Sequence, residues 1–307
     1  MDRRDFIGHT AGTVAGMILG TDIYDHYDRN TIRQSPFSMM KECMKYRKID
    51  SHNHVWFRAD PAETIDIADR LGIEKIVISQ PVTSTTRKED ATPEMFRSYN
   101  DYVLKAMKQF PGRFLGQVTF NVFYGKESLD EIKRCIDLGM VGMKVYHQVK
   151  INDPLFYPVI EKSIELRMMI LVHAAAGLGF GGQRLKYGNR QPNASVPEDF
   201  VEAAGRYPEA MLQYAHTGGG GDWEYACKML SPCPNVFVDI SGSNNEGNMI
   251  DFALKYIGED RLFFGTDGSF YQGVGTILSS NLSDVQKRKL FFDNYNGMLG
   301  LSGNSIS

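Results

Sequence analysis

Between Lys45 and the C-terminus, a short β-branched or apolar run is followed by a stretch of helical periodicity again and again. The runs end near His54, Gln80, Phe120, His147, His173, His216, Ser241 and Asp267. The helical stretches between them are Pro61 to Leu71, Pro93 to Phe110, Glu127 to Leu138, Pro154 to Leu166, Pro197 to Tyr207, Asp222 to Leu230 and Gly247 to Gly258. A last one, capped by Ser283, runs to about Met298. Parallel strands need long crossovers, and helices supply them. Eight βα units over about 255 residues predict an α/β single domain, a closed (β/α)8 barrel. An open doubly wound sheet typically has fewer strands and a glycine-rich nucleotide loop after the first, and no such loop follows His54.

A barrel of this kind carries its chemistry at the C-terminal ends of its strands. Polar residues stand at those ends here. In Ile49-Asp50-Ser51-His52-Asn53-His54, side chains two apart project to one face of a strand, so His52 and His54 can present two imidazoles to one ion. Lys144 and His147 end the fourth run, His173 the fifth, His216 the sixth and Asp267 the eighth. A lone histidine at a strand end is more often a hydrogen-bonding loop residue than a ligand. Convergence of several on one rim is what points to a metal centre.

Net charge is −3, which gives no electrostatic case for nucleic acid or an anionic membrane surface. Cys43, Cys135, Cys227 and Cys233 form no C-x-x-C pair and read as free thiols. Residues 1–20 read as an address. Arg3-Arg4-Asp5-Phe6-Ile7 resembles a twin-arginine export motif, and the apolar run from Ala11 to Gly20 is too short for a permanent anchor. The expectation is a periplasmic or exported protein, with a cytoplasmic one as the alternative. Residues 21–44 read as a linker or N-terminal cover, and residues 45–307 as the barrel domain.

From Ile49 to Leu301 the chain resembles the amidohydrolase superfamily, in the branch of aminocarboxymuconate-semialdehyde decarboxylase and related metal-dependent hydrolases. The resemblance rests on Ile49 to His54, Gly142-Met143-Lys144-Val145-Tyr146, Ile170-Leu171-Val172-His173, Ala215-His216-Thr217-Gly218-Gly219, Arg261 to Asp267, and the closing Asn294 to Gly300. It implies that His52, His54, His173 and Asp267 ligate one divalent metal, zinc first and manganese second. It also implies His216 as the acid/base beside an attacking water, with Asp267 able to take that water's proton. A cation among three imidazoles and a carboxylate stays net positive and brings the pKa of bound water toward about 7.

Lys144 has two readings. In some superfamily members a lysine after strand four is carboxylated and bridges two metals; in the branch matched here it stays unmodified, and the expectation is pairing with a carboxylate or anchoring of the strand. His147 reads as a rim or substrate contact. The long loop from Ala174 to about Val196 reads as a cover whose Arg184 or Arg190 holds an anionic substrate group, and Trp56 and Phe57 as pocket lining or core. Gly218 to Gly221 would let backbone approach the substrate. The sequence thus points to a metal-dependent hydrolase of a small-molecule amide, ester or lactone, with homodimerisation expected by analogy alone. The alternatives are a nonoxidative decarboxylase or hydratase on the same site, a sugar lactonase, and a noncatalytic binding barrel.

Overall fold

The computed structural model describes residues 38–56, 60–82, 90–174, 193–217, 223–242 and 248–307. The twin-arginine segment, Phe57, Arg184, Arg190 and Gly218 to Gly221 lie outside the described residues. The chain divides into Met1–Glu42 and Cys43–Ser307, and everything below concerns the second unit.

Eight parallel strands pair in sequence order: β1 (Ile49–His54), β2 (Lys75–Ser79), β3 (Phe114–Thr119), β4 (Gly142–Val145), β5 (Met169–Val172), β6 (Met211–Tyr214), β7 (Val236–Asp239) and β8 (Leu262–Phe263). Each is followed by a helix: α1 (Pro61–Leu71), α2 (Pro93–Gln109), α3 (Gly125–Asp137), α4 (Tyr157–Leu166), α5 (Pro197–Arg206), α6 (Trp223–Leu230), α7 (Met249–Ile257) and α8 (Phe270–Ser279). The expected eightfold alternation is therefore present. Two details differ from the sequence reading. Helix α8 was not expected, because Gly273 and Gly275 dilute its periodicity. The final helix is interrupted: α9 (Asp284–Arg288) and α10 (Asn294–Leu301) are joined through a π-helical turn, Lys289–Asp293.

Closure depends on the chain just past β8, which hydrogen-bonds back to β1. Ser51 N–H donates to Phe264 O (2.8 Å), and Asp267 N–H donates to His52 O (2.8 Å). Asp50 locks the seam from the side. Its carboxylate accepts from Thr266 N–H (2.9 Å), Thr266 Oγ1 (2.6 Å) and Asn53 Nδ2 (2.8 Å). Burial nevertheless pushes the Asp50 carboxyl up to about 6.

Alternation along each strand separates two cores. Ile76, Ile78, Val118, Met143, Ile170, Val172, Leu212, Val236, Val238 and Phe264 join the layer packed against the helices. Ile49, Val77, Val141, Met169 and Phe263 join a separate cluster with Phe292, Tyr295 and Leu299, which come from the π-turn and α10. Most of these strand residues stand near strand starts, so the C-terminal helix plugs the N-terminal end of the barrel with apolar side chains. The opposite end is left for polar groups. All four cysteines are buried and free, as expected. Among the described residues no helix is long and apolar enough to cross a membrane.

Candidate metal centre

His52 and His54 both belong to β1 and are buried, and the register of β1 against β2 shifts between Asp50 and Asn53. Their rings lie 5.2 Å apart and nearly perpendicular. His54 Nε2 is 3.0 Å from Asp267 Oδ1, and His52 Nε2 is 3.8 Å from the same oxygen. His216 Nδ1 is 3.7 Å from Asp267 Oδ2, and His216 Nε2 is 2.9 Å from His173 Nδ1. The structure thus brings together the five residues expected at the rim. It groups them differently from the expectation. Among the described residues, the three whose donor atoms lie within 4.8 Å of one another are His52, His216 and Asp267, so the geometry of His216 admits a ligand as well as the expected acid/base. His54 joins through Asp267, and His173 through His216.

Two of the imidazoles are held neutral. Burial pulls His54 down to about 4 against the pull of its Asp267 hydrogen bond, and burial with the neighbouring His52 pulls His216 down to about 3. Asp267 behaves oppositely. Burial would raise it, but the His54 hydrogen bond and the surrounding histidines hold it far below the usual carboxylate range. Neutral imidazole nitrogens around one ionised carboxylate are a donor set that suits a divalent cation, and the residues fit such an ion.

Both His216 (φ 67°) and Asp267 (φ 48°) occupy the left-handed region, which costs a non-glycine residue about 1–3 kcal/mol. Each is held there by its amide. His216 N–H donates to Asp239 Oδ1 (3.1 Å), and Asp267 N–H donates to His52 O (2.8 Å).

Lys144, fully buried on β4, corrects an expectation. Its Nζ donates to His52 Nε2 at 2.9 Å rather than to a carboxylate. The reason is that the two nearby carboxylates are already engaged: Asp239 accepts from His52 Nδ1 (3.1 Å), and Asp267 is bonded to His54. Burial pulls the ammonium down to about 8, against the attraction of Asp267 and Asp239. His147, expected as a rim or substrate contact, stands beside the site. It is buried, with its ring 5.4 Å from Tyr146 and 5.9 Å from His173. Tyr146 stacks flat on His173, 4.5 Å between centroids at 6°. Trp56 is 45% exposed and edge-on to His54 at 5.8 Å, which places it beside the site rather than in the core.

The sequence reading missed Asp239, Ser241 and Gln213. Gln213 Nε2 donates to Asp239 Oδ2 (2.8 Å), and Ser241 Oγ donates to Asp239 Oδ1 (2.6 Å). A signal was available. Asp239 ends an apolar strand, as Asp267 follows one, and period-two alternation puts Phe237, Asp239 and Ser241 on one face.

These shifts predict how metal-free protein responds to acid. A histidine whose folded value lies below its unfolded 6.5 binds a proton less readily when folded. Its contribution is intact above pH 6.5 and is lost as pH falls toward the folded value. For His54 the loss approaches about 3 kcal/mol near pH 4, and His216 adds a loss of similar size. Asp50 runs the other way, gaining stability as pH falls from about 6 toward 3.8, but it is one group against two. The melting temperature of metal-free protein is expected to fall between pH 6.5 and 4. A flat or rising profile by calorimetry would contradict the assigned neutral histidines.

Residues 49–294 match the amidohydrolase family, and the chain belongs to it. With the His52, His216, Asp267 group in place, it is a metal-dependent enzyme of that family. The 2-amino-3-carboxymuconate-6-semialdehyde decarboxylase of Dictyostelium discoideum is 24% identical over 311 residues, covering 87% of this chain and 82% of that protein. Two solved structures share the fold. Dihydroxybenzoic acid decarboxylase from Polaromonas, with bound manganese and 2-nitroresorcinol, aligns with a TM-score of 0.67 at 16% identity, covering 83% of this chain and 97% of that one. 5-Carboxyvanillate decarboxylase from Novosphingobium aromaticivorans, with manganese and a nitrobenzoic acid, aligns at 0.63 and 17% identity, covering 84% and 97%.

Proposed function

We propose that this protein is a metal-dependent, nonoxidative decarboxylase of a small, planar carboxylic acid. The observation that carries the reading is the division of labour between His216 and Asp267. A hydrolytic site needs a base to take a proton from water. Asp267 is the carboxylate at the centre of the rim, and it is tied to His54 and held well below the usual carboxylate range. A bound cation would make it a weaker base still. It suits a ligand. His216, in contrast, offers an imidazole able to carry a proton within the same group of atoms. Decarboxylation asks for one proton delivered to carbon, and no base.

On this reading His52, His54, His173 and Asp267 hold one divalent ion, and His216 serves the reaction. The bound ion would polarise a substrate oxygen and orient the acid. With Nδ1 already protonated, His216 takes a solvent proton on Nε2 as the anionic substrate binds, and gives that proton to the carbon bearing the carboxylate. The C–C bond to that carboxylate breaks, its electron pair returns to the conjugated system, CO2 leaves and the product keeps the proton. Lys144 lends positive charge beneath the substrate, and the flat Tyr146–His173 stack matches a planar, conjugated body. The decarboxylase relatives support this over the hydrolysis expected from motif resemblance, and manganese in two of them puts manganese beside zinc as the ion.

The deciding experiment incubates metal-loaded protein with a panel of hydroxybenzoic and muconate-like acids, and separately with lactones, esters and N-acyl compounds. CO2 release in D2O, with deuterium at the vacated carbon, is the expected result. Turnover of the second panel without CO2 release would return the assignment to hydrolysis.

A further inference from the structure

The end of β7, two strands from β1 in the closed sheet, carries a pair of residues that the reaction above does not use. From the geometry we infer that Asp239 and Ser241 of the β7 end form one positioning device that fixes the proton on Nδ1 of both His52 and His216, leaving Nε2 as the working nitrogen of each. The inference deepens the metal-site reading and rests on it for the roles of the two histidines.

The assignment follows from counting donors. Asp239 is fully buried and faces five of them: His52 Nδ1 at 3.1 Å, Gln213 Nε2 at 2.8 Å, Ser241 Oγ at 2.6 Å, Ser241 N–H at 3.0 Å and His216 N–H at 3.1 Å. A carboxylate so surrounded accepts and does not donate. The contact with His52 therefore needs a proton on His52 Nδ1, which leaves Nε2 with its lone pair, the atom that Lys144 Nζ reaches at 2.9 Å. The 2.6 Å contact between Ser241 Oγ and Asp239 Oδ1 likewise takes the single hydroxyl proton of Ser241. Ser241 Oγ can then only accept; it lies 3.0 Å from His216 Nδ1, 3.2 Å from the His216 N–H and 3.2 Å from His52 Nδ1, so His216 Nδ1 also carries a proton. His216 Nε2 is left facing His173.

One buried carboxylate thus orients a potential ligand directly and the proton carrier through a hydroxyl. The same carboxylate holds the amide of His216 in its left-handed conformation. Gly265 makes the reach across β8 possible. A Cβ there would come 3.1 Å from both His52 Cβ and Asp239 Cβ, wedging the two side chains apart. Supporting carboxylates of this kind fix the tautomer of a metal-ligating histidine and typically govern affinity by about 10–100-fold.

The test reads ring nitrogens and metal affinity, neither of which needs turnover, so failure of the decarboxylase assignment would leave it intact. In zinc-loaded full-length protein, long-range 1H–15N correlation is expected to show Nδ1 protonated in both His52 and His216, with His216→Asn identifying its own signals. Chelator competition is expected to show Asp239→Asn and Gly265→Ala binding zinc about 10–100-fold more weakly. Gly265→Ala keeps both the acid and the hydroxyl, so a parallel loss there identifies the His52–Asp239 contact as the cause. Ser241→Ala is expected to change zinc affinity less than about threefold, lower kcat with KM unchanged, and release the His216 tautomer. A proton on Nε2 and a bare Nδ1 in either ring of the wild type would overturn the inference. So would wild-type zinc affinity in both Asp239→Asn and Gly265→Ala. If Asp239→Asn fails to fold, Gly265→Ala and the wild-type spectrum still decide it.

Discussion

His52→Ala is expected to strip the protein of its metal and to lower turnover by more than the roughly 10–100-fold typical of losing a supporting partner. The expectation follows from how much converges on that ring. His52 is fully buried in β1, its Nδ1 bonded to Asp239 and its Nε2 at the centre of the site, 2.9 Å from Lys144 Nζ and 3.8 Å from Asp267 Oδ1. Removing the ring deletes a donor and also leaves the Asp239 carboxylate short of a partner beside a buried Lys144 ammonium. Some loss of stability, on the order of 1–3 kcal/mol, should accompany the functional loss. Elemental analysis of protein purified without chelator, alongside circular dichroism, separates the two effects. A folded His52→Ala protein with full metal content would move the metal centre away from β1.

Much of this was legible in the sequence because strand ends are marked by composition. The β-branched runs set the strands, and at four of the eight run ends a polar residue fell at the rim: His54, His173, His216 and Asp267 all reach one cluster. Pairings across the barrel were not legible. Lys144 could be assigned to the interior of β4, but whether a carboxylate or an imidazole meets it depends on which acids other strands have already occupied. Asp239 and Ser241 read as an ordinary strand end, since their importance comes from β1, two strands away in the closed sheet, and from the missing side chain at Gly265 that lets them reach it. The plug of Phe292, Tyr295 and Leu299 was hidden in the same way: the final helix was expected, but which end of the barrel it fills is set by packing rather than by its own periodicity.

His216→Asn is the variant that separates a proton carrier from a ligand, because the geometry admits both. Its donor atom lies within 4.8 Å of those of His52 and Asp267, close enough for a shared ion, while its Nε2 faces His173 and its Nδ1 is held by Ser241. If His216 carries the proton to carbon, the variant should keep its metal and lose about 10²–10⁴ in kcat, the range expected for a positioned acid or base. KM should change little, since binding of the acid would rest on the ion and on Lys144. The fall should be confined to the chemical step, so that any residual CO2 release still shows a solvent isotope effect on protonation. If instead His216 is a ligand, metal content and activity should fall together, and added metal should restore part of both. Asparagine is the informative replacement: its amide can occupy the Nδ1 position and bond to Ser241 without offering a group that titrates between pH 5 and 8, so the loop after β6 keeps an anchor while the proton is lost. Retained metal with near wild-type turnover would remove His216 from the chemistry altogether and leave Lys144, whose ammonium burial pulls down to about 8, as the remaining proton source inside the site.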